Sequence, residues 1–478
     1  MTKSPNRNDG EYLASLRALI AADLEVGSGV LAARSERVTM ELDDRGFYRS
    51  VLAEDITDED ARQILDVCAM SDFKVADESQ LAKKLYGGRA DAHFDPILGY
   101  FHSLHVGYVE EGSFRSAGSS GGMASWLLSE LLRLDLVDYV VHVAESIDEG
   151  RLFTYRVSST PDEVLAGSKS RYYPVELSRV LAIMRRKPGR YAVVGIPTVI
   201  FELRLLAEVD DEIGRCVAYT IGLICGHQKS TRYAESFAWQ SGIAPSSLDS
   251  FDFRVKNGEG KSWDYRMSMT GEIDGRRQTL MRRQSDLFGS DWAWCFFKAK
   301  FSDYTDDAFN ETADIVVGDA WLPGHEDDPF GSNVVITRRP DLARLIQAGI
   351  GERRLRFSEA EVDEVLRSQR GLVRHTRDEI GYRLAQDDRA RRVRPQKRFG
   401  ADPTLPYLRR LVQRQRVLIA QASHVHYLRA VELGDWNHFY RRMRPHIWRY
   451  RLLYRVIDLT SALQRNGLIG SVKKLFRL

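Results

Sequence analysis

Apolar and polar positions alternate along this chain in two rhythms, and the places where one gives way to the other mark its organisation. Over residues 12–24 the apolar side chains recur at helical spacing, which predicts a helix. Val38–Leu42 and Tyr48–Leu52 then have strand character and flank Asp43-Asp44-Arg45-Gly46, a turn sequence, so they predict a small hairpin. Thr57-Asp58-Glu59-Asp60 supplies the acidic first turn of a further helix, continued by Ala61, Ile64, Leu65 and Val67 and closed by Cys68.

From about residue 99 to residue 231, strands at 105–108, 137–143, 191–196 and 217–225 alternate with helices at 122–134, 175–184 and 198–206. This alternation predicts an α/β fold: a central, mostly parallel sheet flanked by helices, with ligands at the carboxyl ends of its strands. The loops after Tyr108, Ile196 and Cys225 are therefore the ones to read for chemistry. From residue 251 to 337 the runs shorten and alternate, as in Tyr265-Arg266-Met267-Ser268-Met269, with a turn at Asp274-Gly275, which predicts a smaller antiparallel lobe. From Ser358 onward the pattern is helical, and after Arg389 it is dominated by arginine. Four regions follow: 1–75 at the N-terminus, a ligand-binding α/β domain over 76–235, a second lobe over 236–365 and a basic helical extension over 366–478.

Composition adds a charge partition. The 478 residues are 43% hydrophobic and 28% charged, as in an ordinary globular protein, which argues against a disordered or fibrous chain. The net charge of +2 hides an imbalance: residues 381–478 hold 22 Lys and Arg against 6 Asp and Glu, so this tail carries +16 and the rest about −14. Such a tail suits a membrane surface, a nucleic acid, or packing on the acidic body or on a second subunit. Packing on the body or in a homo-oligomer needs no outside partner; peripheral membrane contact stays open, and nucleic acid is not expected. Residues 1–10 lack a secretory pattern, no apolar run reaches 18 residues, and the four cysteines form no disulfide framework. A cytoplasmic protein is expected.

The densest chemical signal is Phe114-Arg115-Ser116-Ala117-Gly118-Ser119-Ser120-Gly121-Gly122, directly before an amphipathic helix. Gly-rich loops that open a helix present free N–H groups to an anion, and Arg115 would add counter-charge; the competing reading is a tight turn that needs glycine for its dihedrals. The loop Ala166-Gly167-Ser168-Lys169-Ser170-Arg171-Tyr172-Tyr173-Pro174-Val175 offers cations, hydroxyls and aromatics, which suit an anion with a stacked ring or, equally, a solvated helix cap. Gly195-Ile196-Pro197-Thr198 and Cys225-Gly226-His227 end two buried strands in small residues and leave room for a planar ligand. His102 with His105 and His424 with His426 have ligand-like spacing but read as structural histidines, so no metal site is expected.

Taken in order, these segments resemble the beta-subunit family of coenzyme F-420 hydrogenases and dehydrogenases, which includes formate dehydrogenase beta subunits and 7-hydroxymethyl chlorophyll a reductase. The resemblance covers most of residues 66–337. It rests on segments 115–122, 167–174, 195–198 and 225–227 and on Ala313-Asp314-Ile315-Val316-Val317-Gly318-Asp319, with Trp321 and Gly331-Ser332 as in a variant associated with polysaccharide gene clusters. It implies a flavoprotein holding FAD, with iron–sulfur clusters relaying electrons. This chain departs from that pattern: residues 24–50 contain no cysteine where a ferredoxin-like run would stand, Thr198 replaces a thiolate, and Cys295-Phe296-Phe297-Lys298 lacks its second cysteine. A cluster needs about four thiolates, so none is expected.

The resemblance then implies a flavin-dependent oxidoreductase exchanging hydride between a small-molecule donor, reduced coenzyme F-420 or a nicotinamide, and an organic acceptor such as a sugar or sugar nucleotide. Arg115, Gly118, Ser119, Ser120, Gly121 and Gly122 would hold the diphosphate, and Ser168, Lys169, Gly195, Pro197 and Thr198 would border the ring. Cys225 and His227, with Lys169, would act on the substrate side, and Asn310, Asp314 and Asp319 would lie beside the flavin. The alternative is a non-catalytic member that keeps the fold as a binding or scaffold module.

Overall fold

The computed structural model describes residues 10–475 except 147, 149 and 257, with side chains as far as Leu463. Most of the polar leader at 1–10 and the end of the basic tail lie outside the described residues. The predicted hairpin is present: β1 (Val38–Leu42) and β2 (Tyr48–Leu52) pair antiparallel, with Gly46 at φ 78° in the turn. The helix Asp58–Asp66 opens on a capping box, in which Thr57 Oγ1 accepts from the Asp60 N–H and the Asp60 carboxylate accepts from the Thr57 N–H. Its apolar face, Ala61, Ile64 and Leu65, joins one core with the helices Ser178–Arg186 and Pro197–Val209, so the N-terminal region is packed onto the α/β body.

After a short ribbon of β3 (His93–Asp95) and β4 (Gly99–Phe101) come the first strands of the main sheet: β5 (Ser103–Val109), β6 (Tyr139–Glu145), β7 (Phe153–Ser158), β8 (Tyr191–Gly195) and β9 (Val217–Leu223). β10 (Leu248–Val255), β11 (Arg266–Ile273) and β12 (Arg276–Arg283) follow as a separate antiparallel meander. Its β11–β12 turn is Asp274-Gly275 at φ 51° and 73°, the mirror-image turn that matches strand twist. The last three strands are β13 (Ile315–Asp319), β14 (Asn333–Thr337) and β15 (Leu355–Glu359).

β13 and β14 were expected in the antiparallel lobe and β15 was not foreseen, since the pattern from Ser358 read as helical, yet all three belong to the central sheet, whose order is β15-β5-β14-β13-β9-β8-β6-β7. The boundary expected after residue 235 therefore runs through one sheet. The reason is local: Ile315-Val316-Val317 and Val334-Val335-Ile336 are buried, and such runs carry no alternation to tell a lobe strand from a sheet-centre strand. β13, β9, β8 and β6 are parallel neighbours, and β5, two antiparallel steps from β13, points the same way. Five carboxyl ends thus meet at one edge of a mostly parallel sheet.

The C-terminal extension is two long helices, Tyr407–Leu433 and Trp436–Leu475, folded back on each other around Gly434 at φ 62°. The arm before them lies on the acidic body. Lys397 pairs with Glu78 at 3.2 Å and Asp306 at 3.1 Å, and Arg398 pairs with Asp306 at 3.2 Å and with Glu311. For this stretch the intramolecular reading of the tail is the observed one.

Candidate active site at the carboxyl edge of the sheet

A cavity of about 300 Å³ opens where the five carboxyl ends meet. The chain leaving β5 makes one helical turn, Phe114–Ala117, then folds through the glycine-rich loop into the helix Met123–Arg133. Gly122 sits at φ 86°, and a Cβ there would lie 2.7 Å from the Arg115 nitrogen and the Phe114 carbonyl, so this fold-back needs glycine. Gly118, Ser119, Ser120 and Gly122 line the cavity, together with Met123, Ala124 and Ser125 at the positive end of the helix. The second predicted loop is tied to the first: the Ser170 N–H donates to Ser119 Oγ at 2.7 Å, and Ser168 Oγ donates to Ser125 Oγ at 2.7 Å. Ser168, Lys169, Gly195, Cys225, His227 and Asp319 complete the predicted residues that reach the cavity.

The walls are cationic and partly unsatisfied. Arg171 sits 4.7 Å from the Phe153 ring centre and 3.9 Å from Glu145, and its Nε is buried with no hydrogen-bond partner. Lys169 pairs with Asp252 at 3.2 Å, while Asp319, the lining carboxylate, is held by Arg254 at 2.7 Å. His227 stacks on Trp292 with ring centroids 4.4 Å apart and 12° between planes, and its Nε2 is buried without a partner. Burial, then the charges of Lys229, Lys298 and Arg416, hold that imidazole well below its usual range, so it is neutral at physiological pH. Lys229 is buried too, donates to the Phe296 carbonyl at 2.8 Å, lies 4.5 Å from the Trp292 ring centre, and is brought down to about 7 by burial. Burial also pushes the Cys225 thiol up to about 11, which keeps it protonated.

Six predicted residues do not line the cavity. Arg115 donates from Nη2 to Asp328 at 2.6 Å and to the Gly331 carbonyl at 2.8 Å, with its guanidinium 3.5 Å from the Tyr108 ring centre, so its fork is filled by the protein. Gly121 lies against Asn333, where a Cβ would come within 2.9 Å of the backbone nitrogen. Pro197 and Thr198 are buried in the first turn of their helix. Asn310 donates from Nδ2 to the Gly195 carbonyl at 3.0 Å and so braces the end of β8. Asp314 precedes β13 and sits at the opposite edge of the sheet, ion-paired with Arg204 at 2.8 Å. Local sequence could not separate it from Asp319, because only the direction of β13 assigns the two to opposite edges.

Comparison with known proteins decides the family. Residues 104–182 match the family described as coenzyme F420 hydrogenase/dehydrogenase, beta subunit N-term, and residues 189–363 match the C-terminal family of that same beta subunit. The chain belongs to this beta-subunit family. A chain of the F420-reducing [NiFe] hydrogenase complex from Methanosarcina barkeri is similar at 17% identity and a TM-score of 0.47, over 66% of this chain and 100% of that one. No match is found among curated proteins.

Membership in the beta-subunit family places the chain among oxidoreductases. Within that frame, the thiols occupy separate surroundings. Cys68 is in the N-terminal core, Cys216 donates to the Met184 carbonyl, Cys225 borders the cavity and Cys295 accepts from Arg416 Nε at 3.2 Å. These surroundings do not assemble the roughly four thiolates of an iron–sulfur cluster, and among the described residues no three His, Cys, Asp or Glu side chains are grouped to hold a metal. Lys298, in the position of the missing second cysteine, pairs with Asp303 instead. Sequence reasoning passed over Lys229 and Trp292. Lys229 stood two residues beyond a flagged histidine, whereas Trp292 reaches the cavity from a 3-10 turn with no local signal.

Proposed function

We propose that this beta-subunit family member is an FAD-dependent oxidoreductase that exchanges hydride between reduced coenzyme F-420 or a nicotinamide and an organic acceptor, a sugar or sugar nucleotide. The observation that carries the reading is the cavity itself. A glycine cradle and a helix N-terminus stand on one side, an orphaned imidazole stacked on an indole on the other, and cations dominate between them. The lining residues are compatible with the cofactor: Gly118, Ser119, Ser120 and Gly122 with the first turn of the following helix suit a diphosphate, with Arg171 and Lys169 as counter-charges. Tyr172, Ile196 and the end of β8 at Gly195 border the space for a flat ring.

When bound, flavin supplies two-electron chemistry, accepting hydride from one partner and passing it to the next. His227, neutral, offers Nε2 for a hydrogen bond to a substrate oxygen or ring nitrogen. Lys229 lies within Coulombic reach of His227 and holds a proton that is exchangeable near pH 7, and the protonated Cys225 thiol presents no competing nucleophile.

The test is an absorption spectrum of the purified protein titrated with FAD. A flavin band at about 450 nm that bleaches with reduced coenzyme F-420 or a nicotinamide supports the enzyme. Protein that stays colourless after incubation with FAD sinks the reading. Flavin held tightly but reduced by no donor would favour the non-catalytic scaffold.

A further inference from the structure

The helix Trp436–Leu475 buries Phe439, Met443, Ile447 and Tyr450 in the core beside the antiparallel meander and leaves another face uncovered. On that face Trp448 is 63% exposed, Leu452 43%, Leu459 38% and Leu463 42%. At about 100° per residue these four fall within an arc of about 60°, so they form one stripe. Arg444, Arg451 and Arg455 border it. With Trp448 and Leu452 they line a crevice of about 490 Å³, whose far wall includes Asp286, Phe288 and Trp294. Between residues 436 and 463 the chain holds six arginines and one acid, Asp458. None of Arg444, Arg451 and Arg455 has a carboxylate partner among the described ion pairs.

We propose that this face docks on an anionic membrane surface, its arginines meeting lipid phosphates while Trp448, Leu452 and Leu459 enter the headgroup–acyl boundary. The charge decides the occupant. A second copy docked by two-fold symmetry would set arginines against arginines, and a nucleic acid offers nothing to the leucines. Contact is at the surface, since no helix among the described residues is long and apolar enough to cross a bilayer. The docking face also adjoins the site: Trp292 lines the cavity and Trp294, two residues on, lines the crevice beneath Arg451.

The experiment is co-sedimentation of the full chain with vesicles of phosphatidylcholine alone and of phosphatidylcholine with an equal part of phosphatidylglycerol. Binding is expected only to the anionic vesicles and should weaken as salt is raised. The triple substitution Arg444→Gln, Arg451→Gln, Arg455→Gln should reduce affinity about 100-fold, at about fivefold per arginine. Because Arg451 packs on Trp294, the exposed-site variants Trp448→Ser and Leu459→Ser provide an independent check. Each should weaken vesicle binding severalfold while the melting curve and FAD titration stay as in the parent. Equal binding to both vesicle types, binding to neither, or variants that bind like the parent would each overturn the proposal. So would tighter binding to duplex DNA or RNA than to vesicles, or a dimer that Trp448→Ser dissociates.

Discussion

Asp314 and Asp319 bracket β13, about 16 Å apart along an extended strand, and the two carboxylates meet different worlds. At the amino end Asp314 accepts from Arg204 at 2.8 Å, the Thr220 N–H at 2.8 Å and the Tyr86 hydroxyl at 3.2 Å, while Arg338 nearby donates to the Ala313, Leu98 and Phe309 carbonyls. At the carboxyl end Asp319 keeps one strong ionic partner, Arg254, and beyond it the cavity begins, with His227 Nε2 and Arg171 Nε unpartnered. One sheet thus pairs most of its charged groups internally at one edge, although Arg338 Nε is also buried without a partner there, and at the other sets unpartnered polar atoms beside an open cavity. The amino edge is closed mainly by internal pairing, and the carboxyl edge holds the open cavity on which the proposed function rests.

The largest expected effect lies at the amino edge. Asp314→Ala would leave the Arg204 guanidinium buried and uncompensated, at a cost of about 3–5 kcal/mol, seen as a lowered urea midpoint. A variant that unfolds like the parent would break the comparison. At the carboxyl edge, Lys229 makes stability depend on pH. Its folded value of about 7 lies below the ordinary 10.5, so the unfolded chain binds more protons between those limits. The burial cost is therefore full below about pH 7 and fades as pH rises, which raises stability by at most about 1.4 kcal/mol per pH unit. Lys229→Met should flatten this slope in urea titrations between about pH 7 and pH 10; an unchanged slope would show that Lys229 is charged throughout.

The same contrast shows how much was legible in advance. The β1–β2 hairpin, the helix with its acidic first turn at Asp58-Glu59-Asp60 and the Asp274-Gly275 turn follow from local chemistry, and each stands where the sequence puts it. The three loops at the carboxyl edge were legible because alternating strands and helices fix which ends carry ligands. What could not be read was register and direction over long separations. The insertion of β14 between β5 and β13 brings Asn333 against Gly121, 212 residues away in sequence, and nothing near either residue announces it. Trp292 and Arg416 are the same case, placed against His227 and Cys295 by tertiary packing alone.

Arg171→Ala sharpens the comparison on the binding side. A charge-assisted hydrogen bond to a phosphate contributes about 1.5–3 kcal/mol, so FAD affinity should fall about ten- to a hundred-fold in an absorbance titration. Stability should change by less than about 1 kcal/mol, since Glu145, at 3.9 Å and largely exposed, contributes little. A loss of stability without a loss of affinity would make Arg171 a packing residue and move the anion site elsewhere along the edge.

The smallest expected effect belongs to Arg115, the residue whose sequence position argued hardest for a phosphate. Its Nε and Nη2 both donate to the Gly331 carbonyl, Nη2 also meets Asp328, and the guanidinium lies over Tyr108, so it ties the glycine-rich loop to the turn before β14. Arg115→Ala should therefore cost about 1 kcal/mol of stability, because the pair with Asp328 is partly exposed, and should lower FAD affinity only severalfold through a loosened loop. Direct contact with the diphosphate predicts the reverse pattern, a tenfold or greater loss of affinity on an unchanged melting curve. The two outcomes separate cleanly, because a brace acts on fold and affinity together whereas a ligand contact acts on affinity alone. The second result would mean that Arg115 leaves Asp328 when the cofactor arrives, and the glycine-rich loop would then be a clasp that closes on its ligand.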